Sequence, residues 1–209
     1  MSSHVANNTG ASQQQPSQQA AAQPHENYTN EPRRNPVLRV NKEKPFNAEP
    51  PMPLLVRSGL VTPEQLFLVR NHGPVPLYES LGSFSLTVDG LVLSRLRLTM
   101  NELRAGFERV TVVSTVQCAG NRRNDFARSG RKVKGVGWEA GAISTGVWGG
   151  VRLMDVLNRA HILEGAKHVV FEGDDDCYEE QCGKDYTFKY GASIPIHKAV
   201  YVMSGGINK

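Results

Sequence analysis

Residues 110–123 read VTVVSTVQCAGNRR, and this stretch decides the fold. The first seven residues are a mostly β-branched run without charge, which predicts a buried strand. The strand should end near Gln117, so that Cys118, Arg122 and Arg123 lie on the loop that follows it. Gly120 within this loop gives the backbone conformational freedom close to the cysteine.

The flanking segments mix helix and strand signals without a steady alternation, which predicts an α+β fold with a mixed sheet. Thr99 and Glu102 form a capping box for a short helix that should reach about Phe107. The other expected elements are a helix that starts at Thr62-Pro63-Glu64, a hairpin over 84–92 around Asp89-Gly90, a helix over 151–160 with Leu153, Val156 and Leu157 on one face, and a short strand over 168–171 that runs into the acidic residues 172–176.

Composition limits the class of protein. The chain has 209 residues, of which 39 % are hydrophobic and 21 % charged, and this excludes a collagen, a coiled coil or a disulfide mini-protein. No apolar run reaches about 18 residues, so we expect no membrane span. Residues 1–36 include SQQQPSQQAAAQ and predict a disordered tail. Residues 37–60 include PFNAEPPMP, whose four prolines predict an extended strap.

The formal net charge of +4 is concentrated in one loop. Residues 119–134 carry six basic side chains and one acid, whereas residues 172–185 carry seven acids and one lysine. Nucleic-acid binding would need basic residues with interleaved aromatics, and the basic loop contains only Phe126, so we expect no nucleic-acid partner. Two interpretations remain, a solvated surface loop and a pocket for a small tetrahedral oxyanion.

The cysteines leave several kinds of site open. Cys118 could be a small buried apolar residue, a thiolate ligand of a transition metal or a nucleophile, and the nearby arginines favour its thiolate. Cys177 and Cys182 have no second pair and do not predict a zinc site. Residues 174–176 lack the ligand spacing of an EF-hand, so they are either an exposed acidic loop or a binding segment.

At this point the residues resemble a known family. The sequence QCAGNRR at 117–123 is similar to the molybdenum-ligand loop of eukaryotic sulfite oxidases and assimilatory nitrate reductases. Further motifs stand in family order over residues 45–199, namely FLVRNHGPVP at 67–76, Trp138 with GAIST at 141–145 and WGG at 148–150, and YGASIP at 190–195. Gln117 and the strap resemble the haem-free, plant-type sulfite oxidases, and no His-Pro-Gly-Gly motif precedes them, so we expect no haem domain in this chain.

The resemblance implies a sulfite oxidase-type molybdopterin-binding fold and a role for each matching residue. Cys118 would ligate molybdenum, and Arg70 and Arg123 would line the pocket for the sulfite or sulfate anion. Ser144 and Thr145 would shape the loop over the metal. The molybdenum–molybdopterin cofactor would be held by Leu68, Val69, Arg70, Asn71, His72 and Asp175. The implied reaction is oxidation of sulfite to sulfate by oxygen-atom transfer, with oxygen or a cytochrome as electron acceptor.

The resemblance stops after Ala199, so we expect a partial molybdopterin-binding domain over 61–199 and a non-matching end over 200–209. Apolar faces that the rest of such a domain covers would then be exposed. Full-length relatives would be homodimers, through a domain absent from this sequence. Two alternatives stay open, the molybdenum domain of a nitrate reductase and a non-catalytic remnant. The compartment, whether mitochondrion, peroxisome or cytosol, is left open by these residues.

Overall fold

The computed structural model describes residues 28–181 and 184–200. Within these ranges the chain is built from short strands and helices, which confirms the α+β composition. The strands are β1 Arg39–Lys42, β2 Asn47–Glu49, β3 Val69–Arg70, β4 Ser85–Val88, β5 Leu96–Thr99, β6 Arg109–Gln117, β7 Ile143–Val151, β8 His168–Gln181 and β9 Lys184–Pro195. The helices are α1 Met52–Arg57, α2 Met100–Gly106, α3 Arg123–Arg128, α4 Leu153–Ala160 and α5 Ile196–Val200, with a 3₁₀ turn at Glu64–Leu66.

The strands form four small sheets, in the orders β1-β2-β3, β4-β5, β6-β7 and β8-β9. Every strand pair in the described ranges is antiparallel, so the expected mixed sheet is wrong for this part of the chain. The physical reason is connectivity. Parallel neighbours need a crossover connection, whereas here three of the sheets each join two strands that follow one another along the chain.

The strand predicted at 110–116 is present, but its burial was predicted wrongly. β6 pairs with β7 in an unbroken register from Arg109↔Val151 to Gln117↔Ile143. Val112 is 53 % exposed and Val113, on the opposite face of the strand, is 56 % exposed. Within the described residues β6 pairs only with β7, so neither face is covered along most of its length. The β-branched run therefore specified the strand without specifying what lies over it.

The acidic residues 172–176 belong to a strand rather than to a loop. The predicted strand over 168–171 is the start of the longer β8, which pairs with β9 almost to the end of both strands. The register shifts between Glu172 and Asp176, so the acidic residues sit on a β-bulge. A bulge bends a strand and changes the direction in which its side chains point.

Local helix signals were predicted with mixed success. The Thr99–Glu102 capping box is present, and the helix that it starts, α2, ends at Gly106. On α4, Val156 and Leu157 are buried as predicted, together with Ala160. The helix expected from Thr62-Pro63-Glu64 is only the 3₁₀ turn, because the backbone becomes extended again at Phe67. None of the helices in the described residues has the length and apolar character needed to cross a membrane.

The hairpin expected around Asp89-Gly90 has a longer connection than predicted. Its first strand, β4, ends at Val88, but the partner β5 begins only at Leu96. Gly90 adopts a positive φ of 91°, which agrees with a turn there. The residues between them make other contacts, since Leu93 donates its N–H to the His161 carbonyl at 2.8 Å.

The strap over 37–60 is more structured than an extended segment. It contains β1, β2 and the helix α1, which tolerates Pro53 because the first helical turn needs no donor at that position. Residues 28–36 of the expected disordered tail are described, and the Val75 N–H donates to Glu31 Oε1 at 3.0 Å. Residues 1–27 of that tail, Cys182 and the end at 201–209 lie outside the described residues.

Because Leu157 on α4 is buried and Val113 on β6 is exposed, we expect truncation to alanine to change the free energy of unfolding by different amounts at the two positions. Leu157→Ala should lower the free energy of unfolding by about 2–5 kcal/mol, because it leaves a cavity beside a helix face that is buried. Val113→Ala should cost less than about 1 kcal/mol, because its side chain is largely exposed. Urea unfolding followed by circular dichroism checks both, and equal losses would contradict the exposure of β6.

Candidate functional site

The strand β2 lies at the centre of the site, and its polar side chains are completely buried. Asn47 is 0 % and Glu49 1 % exposed. Glu49 Oε1 accepts hydrogen bonds from the Glu139 N–H and from Asn41 Nδ2, each at 2.8 Å. Its Oε2 accepts from the Gly141 N–H, also at 2.8 Å. The carboxylate therefore ties the loop over 139–141 to the strap, and each donor satisfies part of a buried charge.

Asn47 makes the corresponding connection to the segment that contains Arg70. Its Oδ1 accepts from Arg70 Nη1 at 3.1 Å and from the Asn71 N–H at 3.2 Å. Its Nδ2 donates to the carbonyls of Pro45 at 2.8 Å and Asn71 at 3.1 Å. The antiparallel pairing of β2 with β3 sets Asn47 opposite Arg70 and so makes these contacts possible.

Cys118 lies at the end of β6, as the sequence predicted. The Cys118 N–H donates to the Ala142 carbonyl at 3.0 Å, which anchors the loop to the residues just before β7. The Gly120 N–H donates to Cys118 Sγ at 3.4 Å, and the residue is half-buried. A thiol that receives a backbone N–H and remains partly accessible is suited to ligation in its thiolate form.

Arg123 is folded back over the same loop. Its Nη1 donates to the Val136 carbonyl at 2.6 Å. A Cβ placed at Gly120 would lie 2.7 Å from the guanidinium, and one at Gly135 would lie 2.8 Å from it. Both glycines are therefore required for the guanidinium to lie where it does. Because the Gly120 N–H also donates to Cys118 Sγ, the thiol and the guanidinium both lie next to Gly120.

Two other arginines of the basic loop, Arg122 and Arg128, pair with carboxylates of the protein. Arg122 pairs with Asp125 at 2.7 Å, and Arg128 pairs with Asp125 at 3.0 Å and with Glu139 at 2.6 Å. The bond from Arg128 and one from Asn124 hold the pKa of Glu139 at about 2. Arg122 and Arg128 are therefore exposed side chains that bind carboxylates of the protein, as a solvated surface loop predicts for them.

Arg70 and His72 form a second group of side chains. Arg70 Nη1 also donates to the Asn71 carbonyl, and Arg70 Nη2 lies 2.7 Å from His72 Nε2. The imidazole stacks on the ring of Tyr190, with a centroid distance of 3.8 Å and an interplanar angle of 24°. Burial, reinforced by the charge of Arg70 and opposed by that of Asp175, lowers the pKa of His72 below its usual value.

Asp175 lies on the β8 bulge next to this group. Cys177 Sγ donates to Asp175 Oδ2 at 3.6 Å, and Cys177 is only 1 % exposed. Burial, followed by the charge and hydrogen bond of Asp175, raises the pKa of the Cys177 thiol. The thiol is therefore kept protonated as a donor to the carboxylate.

A cavity of about 420 Å³ opens beside His72. It is lined by Tyr28, Lys42, Lys44, Pro45, His72, Gly73, Asp176 and Tyr178. Asp176 is paired with Lys189 at 2.9 Å. The ammonium groups of Lys42 and Lys44 on the strap therefore make one side of the cavity positive.

The remaining predicted residues are Leu68, Val69 and Asn71, on the segment that contains Arg70, and Ser144 and Thr145, on β7. The Leu68 N–H donates to Ser144 Oγ at 3.0 Å, and Val69 pairs with Ala48. The Thr145 N–H donates to Thr62 Oγ1 at 3.1 Å, so Ser144 and Thr145 position this segment as well as the loop. Asn71 Nδ2 is buried and has no hydrogen-bond partner among the residues that the structure describes.

These donors fit the pterin cofactor that the sequence implied. The Asn71 amide offers an unused buried donor, Cys118 offers a soft ligand, and Arg123 offers a guanidinium beside it. Within the described ranges, no cluster of three His, Cys, Asp or Glu side chains could hold a metal ion.

The structure brings the predicted residues together as two groups joined by β2. One contains Cys118 and Arg123, and the other contains Arg70, Asn71, His72 and Asp175. Asn47, Glu49 and Tyr190 were not predicted as site residues. Tyr190 opens one of the quoted motifs, and Glu49 is the lone charge of PFNAEPPMP at 45–53, but neither signal reveals the contact that each residue makes.

Comparisons with known proteins agree on one family. Residues 72–205 match the family described as the oxidoreductase molybdopterin binding domain. A sulfite oxidase of Arabidopsis thaliana is 44 % identical over 179 residues, covering 82 % of this chain and 44 % of the relative. A nitrate reductase [NAD(P)H] of Hordeum vulgare is 44 % identical over 147 residues, covering 69 % of this chain and 16 % of the relative. This chain thus spans less than half the length of these curated relatives.

A solved structure supports the fold alone. The sulfane dehydrogenase SoxCD from Paracoccus pantotrophus superimposes with a TM-score of 0.56 at 22 % identity, covering 75 % of this chain and 36 % of that one. The family match continues to residue 205, beyond the boundary at 199 that the sequence motifs suggested.

Glu49→Gln should lower the free energy of unfolding by about 1–3 kcal/mol, because the new amide turns an NH₂ group toward a buried backbone N–H. Glu43→Gln, an exposed position on the same strap, is the matched control and should change stability by less than about 0.5 kcal/mol. Urea denaturation midpoints measure both. Unchanged midpoints for the Glu49 variant would contradict the role of its carboxylate.

Proposed function

The chain belongs to the oxidoreductase molybdopterin-binding family, in its sulfite oxidase type, and from this premise we propose that it contributes the cysteine side of a site that oxidises sulfite to sulfate. The observation that carries the proposal is the meeting of Cys118 and Arg123 at Gly120. A soft thiolate and a guanidinium at one loop are what a metal that acts on a small oxyanion requires.

The cofactor in this proposal is the molybdenum–molybdopterin cofactor, which supplies oxygen-atom transfer when bound. Cys118 gives its thiolate to the metal. The segment over 68–72 would bind the pterin and its phosphate, with Asn71 Nδ2 as a buried donor that has no partner in the described part of the chain. Asp175, whose charge acts on His72, would contribute a carboxylate contact.

The arginines bind and orient the anion. Sulfite carries its negative charge on oxygen atoms, and guanidinium groups donate two hydrogen bonds to such atoms in a fixed plane. Arg123 is preorganised for this by the Val136 carbonyl and by Gly120 and Gly135. Arg70 is held by His72 and by Asn47, which lies on the strap, so the charge of Arg70 stays close to the strap. The two cations attract the dianion and offset the charge that it brings to a partly buried site.

His72 contributes a neutral donor to the pterin or its phosphate. Burial and the charge of Arg70 lower its pKa, so the imidazole is uncharged near neutral pH. The positive charge that lines the cavity is then supplied by Lys42 and Lys44 of the strap.

Nitrate reduction is the second candidate, because the Hordeum vulgare nitrate reductase is as identical to this chain as the Arabidopsis thaliana sulfite oxidase is, over a shorter stretch. Both substrates are small oxyanions that the same arginines could bind. Gln117 and the strap favour the sulfite oxidase type within this family.

Cys118→Ser should abolish sulfite oxidation and reduce the molybdenum bound per chain, because a hydroxyl is a much poorer ligand than a thiolate. Thr111→Ser on the same strand is the control and should retain the wild-type molybdenum content. Inductively coupled plasma mass spectrometry of the cofactor-loaded protein measures the metal directly. Full metal content and turnover in the Cys118 variant would exclude this cysteine as the ligand.

Turnover assays with sulfite and with nitrate on the same preparation decide between the two candidate substrates. We expect oxidation of sulfite to exceed reduction of nitrate, and Arg123→Met should raise the KM for the preferred anion by about tenfold or more through loss of charge-assisted hydrogen bonds. Arg95→Met, at an exposed position paired with Asp89, is the matched control. Preference for nitrate would replace the first candidate with the second.

A further inference from the structure

The contact between Arg70 and His72 fixes which ring nitrogen carries the proton. A guanidinium is only a donor, so Arg70 Nη2 at 2.7 Å requires a lone pair on His72 Nε2. A neutral imidazole with an acceptor at Nε2 carries its proton on Nδ1. The geometry therefore selects one tautomer, in which Nδ1–H is the single donor that His72 offers. Turning the ring over would place Cε1–H instead of Nε2 against the guanidinium and break the contact.

Hydrogen bonding to Arg70 alone does not prevent the ring from turning, because it involves one edge of the imidazole. The face of the imidazole is held by Tyr190, whose ring lies nearly parallel to it at 3.8 Å. The next residue in sequence, Gly73, lies so close to β8 that a Cβ there would collide with the Asp176 carbonyl. The backbone next to His72 and the face of its ring are thus held by β8 and β9 respectively.

Tyr190 is in turn held by the bulge opposite it. Tyr190 lies between Lys189, which pairs with Asp176, and Gly191, which pairs with Glu172, so it faces the extra residues of β8. Lys189 Nζ donates to the Asp174 carbonyl at 2.6 Å and pairs with Asp176 at 2.9 Å, which closes the bulge on the same side. Cys177, which pairs with Phe188 just after the bulge, donates to Asp175 in it. These contacts give the bulge a defined shape and direct the tyrosine toward His72.

We propose that Tyr190 is a positioning residue for Arg70: by stacking on His72 it keeps Nε2 turned toward the guanidinium, and the guanidinium stays oriented for the anion. The anion in this inference rests on the proposed function. The series of contacts from Tyr190 through His72 to Arg70 rests on geometry alone. A role in core packing does not account for the contact, because Tyr190 is 45 % exposed.

The test uses the whole 209-residue chain, labelled with ¹⁵N, and two substitutions at one position. Tyr190→Phe keeps the ring and should leave the ring-nitrogen shifts of His72 typical of a single Nδ1–H tautomer. Tyr190→Leu removes the ring and should give averaged shifts, together with faster exchange of the Arg70 guanidinium protons. Tyr186→Leu, at an exposed tyrosine on the same strand, is the matched control and should behave as wild type.

The pKa of His72 is a second readout in the same titration. Burial is the largest cause of its lowered pKa, so removing the Tyr190 ring should move it up toward the usual value, while the charges of Arg70 and Asp175 remain beside it. Unchanged tautomer, guanidinium exchange and pKa in Tyr190→Leu would overturn the proposal. An equal change in Tyr190→Phe would also overturn it, because the stacked ring would then not be the group responsible.

Kinetics on the cofactor-loaded protein connect the geometry to the anion. Tyr190→Leu should raise the KM for sulfite by about tenfold with little change in kcat, as expected when a binding group loses its orientation. Loss of kcat with an unchanged KM would contradict positioning of Arg70. If no variant, including wild type, oxidises sulfite while the NMR differences are present, the proposed function fails and the positioning of Arg70 by Tyr190 stands.

Discussion

A fully buried carboxylate must be surrounded by donors, and this requirement at Glu49 organises the rest of the structure. Its donors come from the strap and from two positions of the loop over 139–141, so neither segment can move without leaving a buried charge short of partners. The same loop continues into Ala142, whose carbonyl anchors Cys118. Two residues before Glu49, Asn47 binds Arg70. One three-residue strand therefore fixes both groups of the candidate site.

What the sequence could predict was local. The capping box at Thr99 and the strand that delivers Cys118 are encoded within a few residues, and both are present. The apolar face of α4 was equally readable from its spacing. Burial of β6 was not, because β-branched residues favour extended backbone whether or not another layer covers them. The conformation of the acidic segment was missed for a similar reason, since pairing with a distant strand decides it.

Charge was harder to interpret than secondary structure. The basic loop carries a large formal charge, but Arg122 and Arg128 bind carboxylates and only the fold reveals that Glu139 is one of them. Arg123 differs because glycines leave room for its guanidinium beside the cysteine loop. A count of basic residues therefore does not tell which of these cations are paired within the protein. Arg70, Asn71 and His72 contact one another because they are neighbours in sequence, and their roles stay predictions.

The exposed ribbon of β6 and β7 has a consequence for the behaviour of the protein in solution. Within the described part of the chain each strand pairs only with the other, so the outer edge of VTVVSTV presents backbone N–H and C=O groups to solvent. The segment has no charge and no proline, and valines project from both of its faces. Such an edge is a template on which another extended strand can add, including one from a second molecule. This edge therefore favours self-association through intermolecular β-pairing, unless another segment covers it first.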